Sequence, residues 1–587
     1  MKIPLTLRFI LMAMVFDGCT GWAGAPVASA PEHSASSAPM SSPRPRRLMF
    51  NYDGWSPFYK GPAAASIRLA VERFAGTQLT TIMLSPSLGQ SVNYPSQVSE
   101  LCHWRPLEPK VREELYHVMG QEAAGGVDQV AARYRREGFD GFAVLVDAVV
   151  QSGREAFVTL RMNDVHMVTL EHGQGPYTDA FYRAHPEWRL PDGGLNYAVP
   201  EVRAHRLAIM EELLRRYPFA GLEMDFLRSP PYFPPNLTSA AKALQAHDGP
   251  EGKDAARWTE PDPNAVDFAR DNAEAYVPVM TEFVAEVRRM VDRVSHEKGR
   301  RIELCVRVPS SLAGCRRLGL DVIEWHRRGL LDFLTVGKFL QLVQALPIAE
   351  YQQALPGLPV CASIDYVLGG PLIAGYFHPR DGTAEIYRGA AAALYAQGAA
   401  GLTLFNMFAA QANGSDPSGR NWNHDEPLEV LREMGDPATL EGKAKLYLVD
   451  SAFRLFDRPL FDAKALLPAK SGPAAPLRTT LQVGERRPAG KTCTLRVVLA
   501  QPAAGATLTV ELNGRGLGLA RPAQSPHLFP EPYDQKPPEV GQCHDFTVDG
   551  AALKFGANEI VVGASTPVTV ASIELAVEAL PVPQSAR

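Results

Sequence analysis

The chain has 587 residues, 46% hydrophobic and 21% charged, with a net charge of −5 at neutral pH. That length allows several ordinary domains, or one barrel of more than about 250 residues with a smaller unit attached. The slightly acidic balance offers no basic field for nucleic acid, and no apolar run of about 18 residues is present to span a bilayer.

Residues 1–20 read as an export leader. Lys2 and Arg8 form a positive start, Phe9 to Phe16 is a short apolar core, and small residues follow. Two endings fit. Cleavage can fall near Ala-Gly-Ala or Ala-Ser-Ala, though a proline follows each. Alternatively, Gly18-Cys19 resembles the end of a lipobox, with Asp17 a departure from it, which would place a lipid anchor at Cys19. Either ending makes the protein exported: periplasmic, surface-anchored or secreted. Residues 21–46 are rich in Ala, Ser and Pro, cannot bury a core, and read as a tether.

From Arg47 onward short apolar runs alternate with longer amphipathic stretches. Strands are predicted at RLMFNYDGW (from Arg47), LTTIMLSPS (Leu79), AFVTLRMND (Ala156), FAGLEMDFL (Phe219), RIELCVRVP (Arg301), LLDFLTVGK (Leu330), PVCASIDYV (Pro359) and AGLTLFNMF (Ala400). Helical periodicity lies between them. One helix opens on Pro200 with Glu201 in its first turn, the arrangement that suits unpaired N–H groups there. Strands alternating with helices predict a parallel sheet covered by helices. Eight such units give an α/β fold, a (β/α)8 TIM barrel over residues 47–437.

Beyond residue 437 the texture changes. TCTLRVVLA, ATLTVELNGRGLGLA and FGANEIVVGA are strand-like, and Asn513-Gly514 is a hairpin signal. Residues 438–587 are predicted to form a smaller C-terminal β-sandwich. GRGLG lacks a following helix and a lysine, so it reads as a turn rather than a phosphate loop. Seven cysteines (19, 102, 305, 315, 361, 493, 543) form no CxxC or zinc spacing. Cys493 and Cys543 could pair in an oxidising compartment.

Active sites of this fold lie at the C-terminal ends of the strands. The fourth strand, within LEMDFLRSPPYFP, carries Glu223 and Asp225 on one face, about 7 Å apart by strand geometry. A buried carboxylate needs a partner or a function. The other strand ends are polar too. They offer Asp53 on the first; Arg161, Asn163, Asp164 and His166 on the third; Arg228 after the fourth; Arg307, Lys338, Asp365 and Asn406 on the fifth to eighth. Such a ring suits a polyhydroxylated ligand. Asp225, Glu223 and Asp365 are the candidate catalytic carboxylates, since paired acids serve as acid with base or nucleophile in glycosidic cleavage. The remaining residues are candidate substrate contacts. For Asp225 an ion pair with Arg161 or Arg228 is the structural alternative, and Arg307 and Lys338 could act by neutralising the acids. Trp55, Tyr52, Tyr177 and Tyr232 lie near the expected mouth as stacking faces or as packing. His166 and His172 would need a third ligand to hold a metal.

The stretch HPEWRLPDGGLNYAVPEVRAHRLAIMEELLRRYPFAGLEMDFLRSP resembles the bacterial glycosyl-hydrolase-like family 10 barrels. The matching positions are Pro186, Trp188, Pro200, Glu201, Val202, Arg203, Glu212, Arg216, Tyr217, Gly221, Asp225, Arg228 and Pro230. The chain departs from that pattern with Ala220 before the strand-four glycine and Phe226 after Asp225; Glu223 stands two residues earlier. A chitinase-like strand would need its acid at Leu227. The resemblance implies an exported barrel acting on carbohydrate, and no cofactor is expected. A carbohydrate-binding barrel without catalysis and a metal-dependent hydrolase are the alternatives.

Overall fold

The computed structural model describes residues 46–54, 56–58, 61–102, 109, 113, 121–165, 177–190, 193–228, 230–234, 273–339, 341–365, 367–368, 380–381, 383–405, 429–449, 467–486, 492–503, 505–529 and 539–578. The expected leader, Cys19 and nearly all of the tether lie outside them.

All eight expected strands form: β1 (Arg47–Tyr52), β2 (Thr81–Leu84), β3 (Glu155–Arg161), β4 (Gly221–Asp225), β5 (Glu303–Pro309), β6 (Phe333–Gly337), β7 (Val360–Asp365) and β8 (Gly401–Phe405). Each pairs in parallel with its successor, and β8 closes on β1. Between them run α1 (Ala64–Glu72), α2 (Gln121–Glu137), α3 (Gly141–Gln151), α4 (Pro200–Arg216), α5 (Ala273–Lys298), α6 (Val322–Arg327), α7 (Ile348–Ala354) and α8 (Ala384–Ala396). α4 shows why its sequence is helical. Pro200 and Glu201 open it, Arg215 and Arg216 close it, and Val202, Ile209, Met210, Leu213 and Leu214 form the buried stripe.

The alternation of strand side chains fixes two environments. Outward residues such as Phe50, Val158, Met224, Val306 and Leu404 pack under the helices. Inward residues stack in layers. Lowest are Arg47, Glu155 and Glu303, with the Arg47 guanidinium bonded to both acids and lying 4.8 Å over the Phe333 ring. Above them Met49, Met83, Phe157, Cys305, Phe333 and Cys361 fill the middle. A polar layer follows with Thr159, Glu223, Thr335, Ser363 and Thr403, and Arg161, Asp225, Arg307 and Asp365 ring the mouth. All of these are buried.

The C-terminal strands are β9 (Lys445–Val449), β10 (Ala469–Ser471), β11 (Leu477–Val483), β12 (Thr492–Leu499), β13 (Leu508–Leu512), β14 (Arg515–Gly516), β15 (Arg521–Pro522), β16 (Cys543–Asp549), β17 (Gly556–Ala564) and β18 (Val568–Val577). They make two antiparallel sheets. One runs β9–β18–β12–β16–β15, with β10 also on β18; the other runs β11–β17–β13–β14. Apolar residues of both sheets belong to one core that continues into the barrel. Asn513-Gly514 is the expected two-residue turn: both residues have positive φ (52° and 80°), and Leu512 faces Arg515 across it.

The pairing of Cys493 with Cys543 does not occur. On the β12–β16 ladder Cys493 faces Val548 and Cys543 faces Val498, five residues further along. That is about 17 Å of strand, against a limit of about 7 Å between bridged Cα atoms. Neither is in a disulfide.

Two glycines seat the sheets on the barrel. A Cβ at Gly389, on α8, would lie 2.1 Å from the Leu446 carbonyl oxygen, and one at Gly484 would lie 2.4 Å from the Ala392 carbonyl. Beside them Lys445 and Glu485 form a buried ion pair at 2.7 Å, and Tyr447 donates to the same carboxylate at 2.9 Å.

Candidate active site

The mouth is built by in-register neighbours. Arg161 on β3 pairs with Asp225 on β4, and Asp225 with Arg307 on β5. Neighbours in a parallel ladder point the same way, so the alternation that buries Leu222 and Met224 outward sends Glu223 and Asp225 inward.

Arg307 is the hub. Its Nη1 lies 3.3 Å from Asp225 Oδ2, and its Nη2 lies 3.1 and 3.0 Å from the two Asp365 oxygens. Arg307 and Asp365 are fully buried and Asp225 is 1% exposed. Burial works against the guanidinium charge, but Asp365 and then Asp225 outweigh it and hold its pKa above the usual value. Phe405 caps the guanidinium at 3.7 Å. Further donors orient the acids: Leu227 N–H to Asp225 Oδ1 at 2.9 Å, and Ser363 Oγ to Asp365 Oδ1 at 2.7 Å.

Glu223 sits one layer deeper. Thr159 Oγ1 donates to its Oε1 at 2.7 Å, while its Oε2 has no hydrogen-bond partner among the described residues. Burial, then the Asp225 charge, pushes its pKa up to about 7; the Thr159 bond and Arg307 pull the other way. Glu223 is therefore a carboxyl that keeps its proton near neutrality.

Asp53, Arg161 and Asp164 form a second group. Arg161 donates to Asp53 and, at 2.8 Å, to Asp164. Burial opposes the Arg161 charge, and Asp53 and Asp164 override it, so its pKa is raised. Arg228 is buried with its guanidinium 4.7 Å over the Phe339 ring, and burial followed by the nearby Arg161 lowers its pKa to about 10. Among the described residues the ion pair of Asp225 within 4 Å is to Arg307; Arg161 and Arg228, the partners weighed from sequence, feel the Asp225 charge without such a contact.

Asn163 is committed to the main chain. Its amide donates to Leu195 O at 3.2 Å and Pro231 O at 2.9 Å and accepts from Leu195 N at 2.9 Å, fastening the loops after β3 and β4 together. Lys338 closes β6 half-buried, its carbonyl bonded by Gln341 N at 3.2 Å. Tyr52, Tyr177 and Tyr232 are buried packing residues rather than open faces. His166, His172, Asn406 and Trp55 lie outside the described residues. Among the described residues no group of three His, Cys, Asp or Glu side chains is placed to hold a metal ion.

Thr159, Ser363, Phe339 and Phe405 were not singled out from sequence. Thr159 and Ser363 stand two positions before Arg161 and Asp365, so strand alternation alone marks them as inward. The two phenylalanines carry no such signal, because their role depends on which guanidinium folds over them.

No protein-family model and no curated protein sequence matches the chain. Similar solved structures include a noncanonic maltogenic α-amylase from Thermotoga neapolitana, 8% identical, covering 87% of this chain and 98% of that one with a TM-score of 0.35. A family GH18 chitinase from Chromobacterium violaceum is 12% identical over 91% of this chain and 88% of that one, with a TM-score of 0.33. An α-L-fucosidase from Paenibacillus thiaminolyticus is 11% identical over 66% of this chain and 48% of that one, with a TM-score of 0.37. At these scores the likenesses do not bear on what the chain acts on. The barrel stands on its own strand pairing.

Proposed function

We propose that the protein is an exported glycoside-hydrolase-like barrel that cleaves glycosidic bonds in an oligo- or polysaccharide. One observation carries the reading. Three carboxyl groups, Glu223, Asp225 and Asp365, converge around one buried guanidinium at the end of the barrel where such sites lie. Their environments differ, which is what acid and base roles require. Glu223 holds a proton near neutrality and suits the general acid. Asp225 and Asp365, ion-paired to Arg307, suit the nucleophile or base that meets the sugar carbon. Arg161, Arg228, Asp53, Asp164 and Lys338 supply the hydrogen-bonding rim for hydroxyl groups. The leader supports export, with Cys19 as an anchor point if its lipobox-like ending is used.

A second reading is favoured by the burial of the acids: Asp225 and Asp365 are neutralised by Arg307 and at most 1% exposed. A barrel of this kind would bind glycan without cleaving it. The test is incubation of the mature protein and of Asp225→Asn with a polysaccharide panel, reading released reducing ends and retained binding together. Release by the wild type alone supports the glycosidase. Binding by both proteins with no release from either replaces it with the binding barrel.

A further inference from the structure

The C-terminal sheets sit on one of the loops that wall the mouth, and a glutamine side chain bonds across the contact. After β6 the chain runs through Lys338 and Phe339, whose ring lies 4.7 Å beneath the Arg228 guanidinium. It reaches α7 only at Ile348. Midway stands Gln344, 3% exposed. Its Nε2 donates to Leu446 O at 2.9 Å, and its Oε1 accepts from Leu448 N at 3.1 Å. One amide thus bonds two main-chain groups of the edge strand β9, as a neighbouring strand would. The Gln344 carbonyl is held in turn: Gln397 Nε2 donates to it at 2.9 Å, and Leu346 N donates to Gln397 Oε1 at 3.1 Å. Gly389 keeps the approach open, since a Cβ there would fall 3.3 Å from Gln344 Nε2 as well as against Leu446 O. The loop is therefore gripped at two points. Phe339 meets the arginine rim of the mouth, and Gln344 meets the edge of a sheet in the other unit.

We infer that Gln344 is a positioning residue through which the C-terminal sheets hold the β6–α7 loop, and with it Phe339 and Arg228, in the geometry that receives the glycan. The sandwich is on this account part of the mouth's outer wall. The inference rests on the proposed carbohydrate site being at the mouth, but its structural half does not depend on catalysis.

The test compares full-length wild type with Gln344→Ala, Gln344→Glu and Arg478→Ala, the last altering an exposed ion pair on the distant sheet. Amide hydrogen exchange is followed in peptides spanning 338–346, 221–227 and 445–449, alongside glycan titration and turnover. The expected result for Gln344→Ala is exchange about tenfold faster in both 338–346 and 445–449, with 221–227 unchanged. With an active protein, KM should rise several-fold while kcat stays within about twofold of wild type. Gln344→Glu keeps the acceptor and loses the donor, so it gives the same pattern more weakly and serves if the alanine variant does not fold. Arg478→Ala should match wild type. Faster exchange in 445–449 with 338–346 unchanged overturns the inference, as does a uniform change in all three peptides for both Gln344 variants. If no glycan is cleaved or bound, the proposed function fails while the exchange result still judges the clamp.

Discussion

At the scale of single residues, the layered interior gives each acid a different physical task. Glu223 holds its proton because it is buried beside the Asp225 charge, and that proton has a stability consequence. The folded chain holds that proton to about pH 7, whereas the ordinary value is 4.5. Between those values the native state binds more protons than the unfolded state, so stability falls as pH rises through the window. Glu223→Gln, neutral throughout, should gain on the wild type from about pH 4.5 to about pH 7, by roughly 3 kcal/mol at the upper end. Urea denaturation at pH 4.5 and pH 8 checks this; a difference that does not change with pH would mean the carboxyl is not buried as described. Arg307 poses the converse case. Arg307→Met leaves Asp225 and Asp365 buried without their shared cation and should cost about 3–5 kcal/mol. Restoring the balance with Asp225→Asn and Asp365→Asn in the same chain should recover much of that loss, which a denaturation series reads directly. Asp225 and Asp365 were legible in the sequence as polar residues ending apolar strands. Their union through Arg307 was not, because β4, β5 and β7 become neighbours of one guanidinium only when the sheet closes.

At the scale of elements, the strands were legible and the reasons are local. Most barrel strands are short apolar runs cut by inward polar residues, and crossovers such as α4 carry a helical period with start and stop residues of their own. Asn513-Gly514 announced its turn for the same reason: two successive positive φ angles are cheap for that dipeptide. Gly514→Ala should therefore cost about 1 kcal/mol through the left-handed backbone alone, since a Cβ there meets nothing within 4 Å; thermal denaturation of the variant measures it. The failed cysteine pairing shows the limit. Two thiols on one ladder look like partners until the register between β12 and β16 is known, and register follows from pairing across the whole sheet.

At the scale of the molecule, barrel and sheets share a continuous core and a backbone-to-backbone contact at Gly389. A single cooperative thermal transition is expected for the wild type, despite two architectures in one chain. Gly389→Ala drives a methyl group into the Leu446 carbonyl and should separate that transition into two, or lower it by several degrees, in differential scanning calorimetry. Two transitions in the wild type would show that the units are energetically independent. The sequence announced both architectures, one by alternation of strand with helix and one by strands alone. It gave no sign of their seam, because a glycine in a helix and a glutamine in a loop look ordinary until the facing strand is in place.

The Arg47 layer at the foot of the barrel has one more consequence. With Glu155 and Glu303 around that guanidinium and a tier of sulfur and phenyl groups above it, the barrel is filled with packed side chains beneath Glu223. The proposed ligand would meet Glu223 from the side of the Arg307 tier, so the proton this acid gives up is exchanged on the face where the ligand sits.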